Sequence, residues 1–442
     1  MPEISFSFFD IAGILVALAA LFAYLNHKVL KLPTTVGLML LAMLHAAGLL
    51  AIGQVFPGVL DSAETLMGSI DFNKALMHGM LGYLLFGGAL HVNLNDLKKQ
   101  TWVIALLATV GVLATTFIVG GLTYLITQQL GIEVRFIYCL IFGSIVAPTD
   151  PIAVLSIVKK LGAPKSLETK IAGESLFNDG VGVVVFLALM GIAGLGGHGG
   201  DGHAETGAAE VAKLFAIEAG GGIAFGFVLG LVAFFLLRSI DHYATEILIS
   251  LAVVTGGYAL AMKLHLSGPL AMVVAGLILG NHGRTFAMSE KTREHLDTFW
   301  ELVDQLLNAI LFVLIGLEVL VLSLKIDYML AGALAIPASL FARFISVGSV
   351  VMLLKKLAGK PFTNHAVKVM TWGGLRGGIS VALALSLKDE IHATQSMYDN
   401  VGELILTMTY VVVAFSILVG GLTMGPMLRK LGLAGQKPAD VH

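Results

Sequence analysis

The hydrophobic positions of this chain fall in long blocks separated by short polar stretches. Thirteen blocks lie at about 8–26, 32–52, 75–93, 102–127, 136–158, 167–192, 211–237, 245–262, 268–281, 299–323, 328–354, 364–387 and 403–428. About 20 apolar residues is the length of helix that crosses a bilayer, so the pattern predicts an all-α polytopic membrane protein with about 13 transmembrane helices. The ninth block is the shortest. The membrane domain covers 1–430, and 431–442 is expected to be a short tail with no room for a regulatory module.

Composition agrees with that reading. Hydrophobic residues make up 57% of 442, charged residues only 13%, and the mean hydropathy is +0.89. Soluble domains hold roughly 45–50% apolar and about 25% charged residues. Glu3 and Asp10, with no Lys or Arg before the first block, leave no positive leader, so that block reads as a retained helix. Lysine and arginine sort between alternate connections, 19 against 6, with Arg343 and Arg376 inside blocks. Basic connections stay cytoplasmic, which predicts an outer N-terminus and a cytoplasmic C-terminus. The longest connection, Gly191 to Glu210, then lies outside. Its His198 and His203 suit metal poorly, because a glycine-rich loop is a weak coordination frame. Cys139, alone in an apolar block, reads as a buried inert thiol.

Against this background the stretch Gly173-Glu174-Ser175-Leu176-Phe177-Asn178-Asp179-Gly180 stands out. A carboxylate in hydrocarbon loses its hydration unless a partner or ion replaces it. At about 100° per residue, Glu174, Asn178, Ser175 and Asp179 lie at roughly 0°, 40°, 100° and 140°, on one side of a helix. Two carboxyls, an amide and a hydroxyl together can hold a cation or a proton.

Two blocks are interrupted near their middles. The fifth carries Ala147-Pro148-Thr149-Asp150-Pro151, where two prolines remove amide donors and free carbonyl oxygens. The twelfth carries Trp372-Gly373-Gly374-Leu375-Arg376-Gly377-Gly378, a poor continuous helix. Matched breaks, each with an ionisable residue, predict two halves repeated with inverted topology and a site near the midplane. A plain kink and close small-residue packing are the competing structural readings. Arg376 keeps its charge and needs an anion, for which Glu174, Asp150 and Asp179 are the intramembrane candidates. If Glu174 takes it, Asp179 and Asp150 are left for the transported ion. Ser175 and Thr149 add neutral oxygens suited to a hard monovalent cation.

These residues also carry a resemblance. The stretch 173–180, with Thr149-Asp150-Pro151 and Gly374-Leu375-Arg376-Gly377, resembles the monovalent cation/proton antiporter family of the NhaP/NHE type. The resemblance covers essentially the whole membrane part. It implies an NhaA-like antiporter fold with two broken crossing helices. A six-helix core, around 75–192 and 299–428, would move against a dimerisation domain in a homodimer. It further implies that Asp179 binds cation and proton in turn, helped by Asp150, Ser175 and the Thr149 main chain. Asn178 would brace the break held by Pro148 and Pro151, and Glu174 would pair with Arg376 beside Gly374 and Gly377. No cofactor is implied; Na⁺ and H⁺ are the cargo, and lipid is the surrounding partner. An Asn-Asp pair resembles the electroneutral branch, exchanging one cation for one proton.

One position departs from the family pattern. Many relatives carry an acidic residue in the third block where this sequence has Gly87, so a third carboxylate is missing and cation preference can shift. Several other residues read as structural. Arg343 is expected to form a structural pair or to snorkel, Glu318 to lie at the outer interface, and His45 and His78 to sit at helix ends or in packing. No Walker lysine motif, dinucleotide fingerprint, nucleic-acid pattern or nucleophile with a paired base is present, so neither an enzyme nor a nucleic-acid partner is expected. The readings beside Na⁺/H⁺ exchange are K⁺/H⁺ exchange and transport of an organic anion clamped by Arg376. The surplus negative charge of the site argues against the last.

Overall fold

The structure is a computed structural model describing residues 7–195, 208–323, 325–358, 362, 365–394 and 396–435. His198, His203 and the last seven residues lie outside it. Among the described residues every regular element is helical. The first helix, α1 (Phe8–Leu25), starts on a capping box made by Ser7 and Asp10. It runs through a π-turn, and Pro33 opens α2 (Thr34–Gly53). Next come α3 (Pro57–Gly68), the single turn α4 (Phe72–Lys74) and, after a further π-turn, α5 (Leu81–Leu90). The Asn93 side chain caps α6 (Leu94–Leu106), which continues through a π-turn into α7 (Val112–Gln129).

Then follow α8 (Phe136–Val146), α9 (Ile152–Lys160), α10 (Lys165–Ile192), α11 (Ala208–Arg238), α12 (Tyr243–Lys263), α13 (Gly268–Ile278) and the turn α14 (Arg284–Phe286). The chain ends with α15 (Glu290–Leu317), α16 (Ile326–Ala358), α17 (Ala366–Trp372), α18 (Gly378–Thr394), α19 (Asp399–Phe415) and α20 (Gly421–Lys430).

Among the described residues, nine helical stretches are long and apolar enough to span a bilayer, and the chain is an integral membrane protein of all-α fold. Each of the thirteen predicted blocks contains helix, but four of them, the third, fifth, ninth and twelfth, are not among the nine; the fifth and twelfth are each split in two. The helix α3 was not predicted: it is short and carries Asp61 and Glu64, and it packs against α2 beside the membrane-spanning part.

Apolar surface gains little by leaving lipid for another apolar helix, so membrane helices associate through close packing and through polar contacts. Both are visible. A Cβ at Gly143 would lie 2.2 Å from the Thr116 carbonyl oxygen, and one at Gly280 2.1 Å from that of Leu90, so α8 meets α7 and the π-turn after α13 meets α5 backbone to backbone. Trp300, fully buried, packs against Phe86 with the rings tilted by 51° and their centroids 4.7 Å apart, and its indole N–H donates to Ser250 Oγ at 3.1 Å. These contacts define two groups. In one, α5 and α15 pack with α2, α12 and α13; in the other, α7, α8, α16, α18 and α19 pack with one another, and α10 joins them through α8.

Candidate functional site

The two helix breaks touch each other. Residues 147–151 stand outside helix between α8 and α9, and residues 373–377 between α17 and α18. The amide of Asp150 donates to the carbonyl oxygen of Leu375 at 2.7 Å, so the backbone of one break is satisfied by the backbone of the other. Prolines 148 and 151 explain why the first helix stops. Glycine explains how the second comes so near: a Cβ at Gly377 would lie 2.5 Å from Asp150 Oδ2. Asp150 Oδ1 accepts from the Ile152 amide at 2.8 Å and caps the start of α9.

The polar face of α10 lies against this crossing. Glu174, Ser175, Asn178 and Asp179 are all buried. Asn178 Nδ2 donates to Thr149 Oγ1 at 2.9 Å, and its Oδ1 accepts from the Thr149 amide at 3.4 Å. Thr149 Oγ1 lies 3.1 Å from Ser175 Oγ. One amide side chain therefore holds the broken strand between Pro148 and Pro151 against α10. It takes up the backbone donor that the break sets free.

Asp179 is treated differently. It is 8% exposed, no described residue donates a hydrogen bond to its carboxylate, and its charged neighbour is Asp150. A buried carboxylate with a like charge beside it and no donor requires a proton or a cation. Ser175 stands one turn before Asp179 on α10, and with Thr149 and Asp150 it adds oxygen atoms to this region, of a kind suited to a hard cation.

The arginines correct an expectation. Glu174 pairs with Arg343 of α16, not with Arg376: Arg343 Nη1 donates to Glu174 Oε1 at 2.5 Å, and both residues are buried. Arg376 is fully buried inside the break. Its Nε donates to the Val146 carbonyl oxygen at 2.8 Å and its Nη1 to that of Gly374. Val146 ends α8, and Gly374 follows the end of α17. The negative ends of two interrupted helices thus serve Arg376 in place of a carboxylate. That leaves Glu174 for the other intramembrane arginine. The sequence shows two arginines inside apolar blocks, Arg343 and Arg376, but not which of them Glu174 takes.

Three further placements differ from expectation or add to it. Glu318, expected at the interface, is 3% exposed. It sits in the single 3₁₀ turn that closes α15, so helix position alone does not bring it to water. Gly87 faces Trp300, whose ring lies 3.5 Å from where a Cβ would stand. An acidic group absent from the sequence reading, Asp304 of α15, interacts electrostatically with Asp150.

A buried oxygen-lined site where two broken helices cross defines a class of protein, the secondary transporters of small cations. Residues 16–430 match the family model described as sodium/hydrogen exchanger, transmembrane, and the chain belongs to that family. It is 46% identical over 430 residues to the Na(+)/H(+) antiporter NhaP of Pseudomonas aeruginosa, covering 97% of both chains. It is 33% identical over 417 residues to the Na(+)/H(+) antiporter NhaH of Halobacillus aidingensis, covering 92% of this chain and 94% of the relative. The fold matches that of the sodium proton antiporter MjNhaP1 from Methanocaldococcus jannaschii with a TM-score of 0.71 and 20% identity, over 95% of this chain and 97% of that one.

Proposed function

We propose that this chain is a secondary-active antiporter exchanging one Na⁺ for one H⁺ at Asp179. The observation that carries the reading is the Asp179 carboxylate, buried next to the charge of Asp150 and without a hydrogen-bond donor among the described residues, on the face of α10 whose Ser175 and Asn178 meet Thr149 of the break. Cation and proton compete for one negative charge, so binding either expels the other, and the occupied site carries the same charge in both cases. The preference for Na⁺ rests on the names of the relatives.

Asn178, Pro148, Pro151, Gly374 and Gly377 shape the crossing, while Glu174 and Arg376 hold charge balance around it. Arg376 gives Nε and Nη1 to carbonyl oxygens and is buried inside the break, which together with the surplus negative charge around it speaks against an organic-anion clamp. Alternating access follows if the group around α10 moves against the group containing α5 and α15. The packing of α15 on α2 and of α5 on α13 supports counting these two helices, which the sequence reading grouped with the core, on the other side of that movement. We take the protein as a homodimer in the bacterial inner membrane, N-terminus outside and C-terminus cytoplasmic, on the distribution of basic residues and the family pattern.

In proteoliposomes carrying an imposed Na⁺ gradient and a trapped pH dye, Asp179→Asn is expected to reduce Na⁺-driven proton movement to the level of empty vesicles. Exchange that persists in that variant would show that another group carries the ion.

A further inference from the structure

One face of α15 carries Glu290, Glu294, Asp297, Glu301 and Asp304, the last of which interacts electrostatically with Asp150 of the site. Steps of four and three residues put these in one file along a helix. The file starts at the connection holding Arg284, Lys291 and Arg293, on the side taken above as cytoplasmic. Asp304 lies ~21 Å of helical rise further in. Asp297 is neutralised where it stands, by Arg284 and with His91 Nε2 at 3.9 Å. The half-buried Asp304 makes no ion pair among the described residues; the charges it meets are His91, Glu301 and, across the gap, Asp150.

A second observation marks the end of this file. One turn beyond Asp304, Asn308 is 5% exposed and its amide lies against the Asp304 carboxylate. Its Nδ2 donates to the Asp304 carbonyl oxygen at 2.8 Å, while its Oδ1 has no partner. A buried oxygen without a donor is costly, and a passing cation relieves it. Gly87, where α5 lacks a carboxylate, packs on Trp300, one turn before Asp304 on the same helix.

We propose that Asp304, with the Asn308 amide oxygen beyond it, draws the cation from the cytoplasmic side towards Asp150 and Asp179, and so determines apparent affinity without taking part in the exchange. The acidic group missing at Gly87 is in effect supplied from α15. The inference rests on the function proposed above. Asp304 is a positioning residue; a purely structural role would move the maximal rate or the folded yield, whereas a recruiting role moves KM and its salt dependence.

The test uses the full chain in everted vesicles, with Na⁺ as probe at the outward-turned cytoplasmic face. For Asp304→Asn the KM for Na⁺ is expected to rise about three- to tenfold, with the maximal rate within about twofold of the parent. Asp304→Glu should return KM to within about twofold. Raising ionic strength with choline chloride should raise KM in the parent and much less in Asp304→Asn. Asp304→Ser keeps the comparison available if the Asn variant accumulates poorly. An unchanged KM, or a fall in maximal rate that Asp304→Glu does not rescue, overturns the proposal. With Asp179→Asn run alongside, exchange surviving in that variant sinks the function itself. Its loss together with an unchanged KM in Asp304→Asn sinks only the recruiting role.

Discussion

The buried pair of Glu174 and Arg343 shows how a charge is made tolerable inside the membrane domain. Taking two ions out of water costs several kcal/mol each, and the contact at 2.5 Å offsets this only while both partners are present. Arg343 has little else: its Nε is buried without a partner and lies 2.8 Å from where a Cβ of Gly374 would stand. Glu174→Gln therefore strands a guanidinium and is expected to destabilise the fold by about 3–5 kcal/mol. The readout is thermal melting of the detergent-solubilised protein, with Na⁺ KM measured on what remains folded. A normal melting temperature with selectively weakened Na⁺ binding would instead make Glu174 a ligand.

Removing both charges should cost less than the two single losses combined. At this scale most of the site was legible in the sequence. Asp179, Ser175 and Asn178 announce themselves because polar groups inside an apolar block need a reason to be there. The partner of Glu174 was not legible, because pairing happens through space. The carbonyl oxygens that take Arg376 exist only once both helices have stopped.

Among elements, the decisive feature is that two interrupted helices cross closely enough to share a hydrogen bond, from the Asp150 amide to the Leu375 oxygen. Prolines and glycines made the interruptions readable, since each removes donors or weakens helix in a known way. The contact between the breaks was not readable, because it depends on how α10 and its neighbours bring them together. Glycine at 377 is a condition of that contact. In Gly377→Ala the new methyl meets Asp150 Oδ2 and must push the carboxylate or the crossing aside. Transport is expected to fall at least about tenfold, since displacements on the order of 1 Å at a binding site have effects of this size. Gly191→Ala in α10 is the matched control, with nothing within 4 Å of its added methyl, and should transport normally. Equal rates in the two variants would mean that the crossing tolerates displacement and that the Asp150 position is not critical. The short helix α3 went unread for the opposite reason: its polar residues hide it from a search for spanning blocks.

For the whole molecule, the number of exchangeable charges decides how the membrane potential acts. Among the described residues, the buried site offers one carboxylate without a donor, Asp179, while the neighbouring Asn178 is neutral and already spent on Thr149. Asp150 is partly committed to the Ile152 amide. If Asp179 alone changes partner, the moving group carries the same charge whether it holds Na⁺ or H⁺, and the full cycle moves no net charge. If Asp150 also took and released a proton, two H⁺ would exchange for each Na⁺ and one net charge would cross per cycle. That charge is worth ~2.3 kcal/mol per 100 mV. It would shift the Na⁺ ratio at equilibrium by roughly fiftyfold at that potential, since each 1.4 kcal/mol is a factor of ten. The two cases are therefore well separated in vesicles whose potential is clamped with K⁺ and valinomycin at fixed Na⁺ and pH gradients. The expected outcome is the same equilibrium Na⁺ ratio at zero and at 100 mV. A shift approaching fiftyfold would show that Asp150 is a second proton carrier, and the assignment of exchange to Asp179 alone would fall with it.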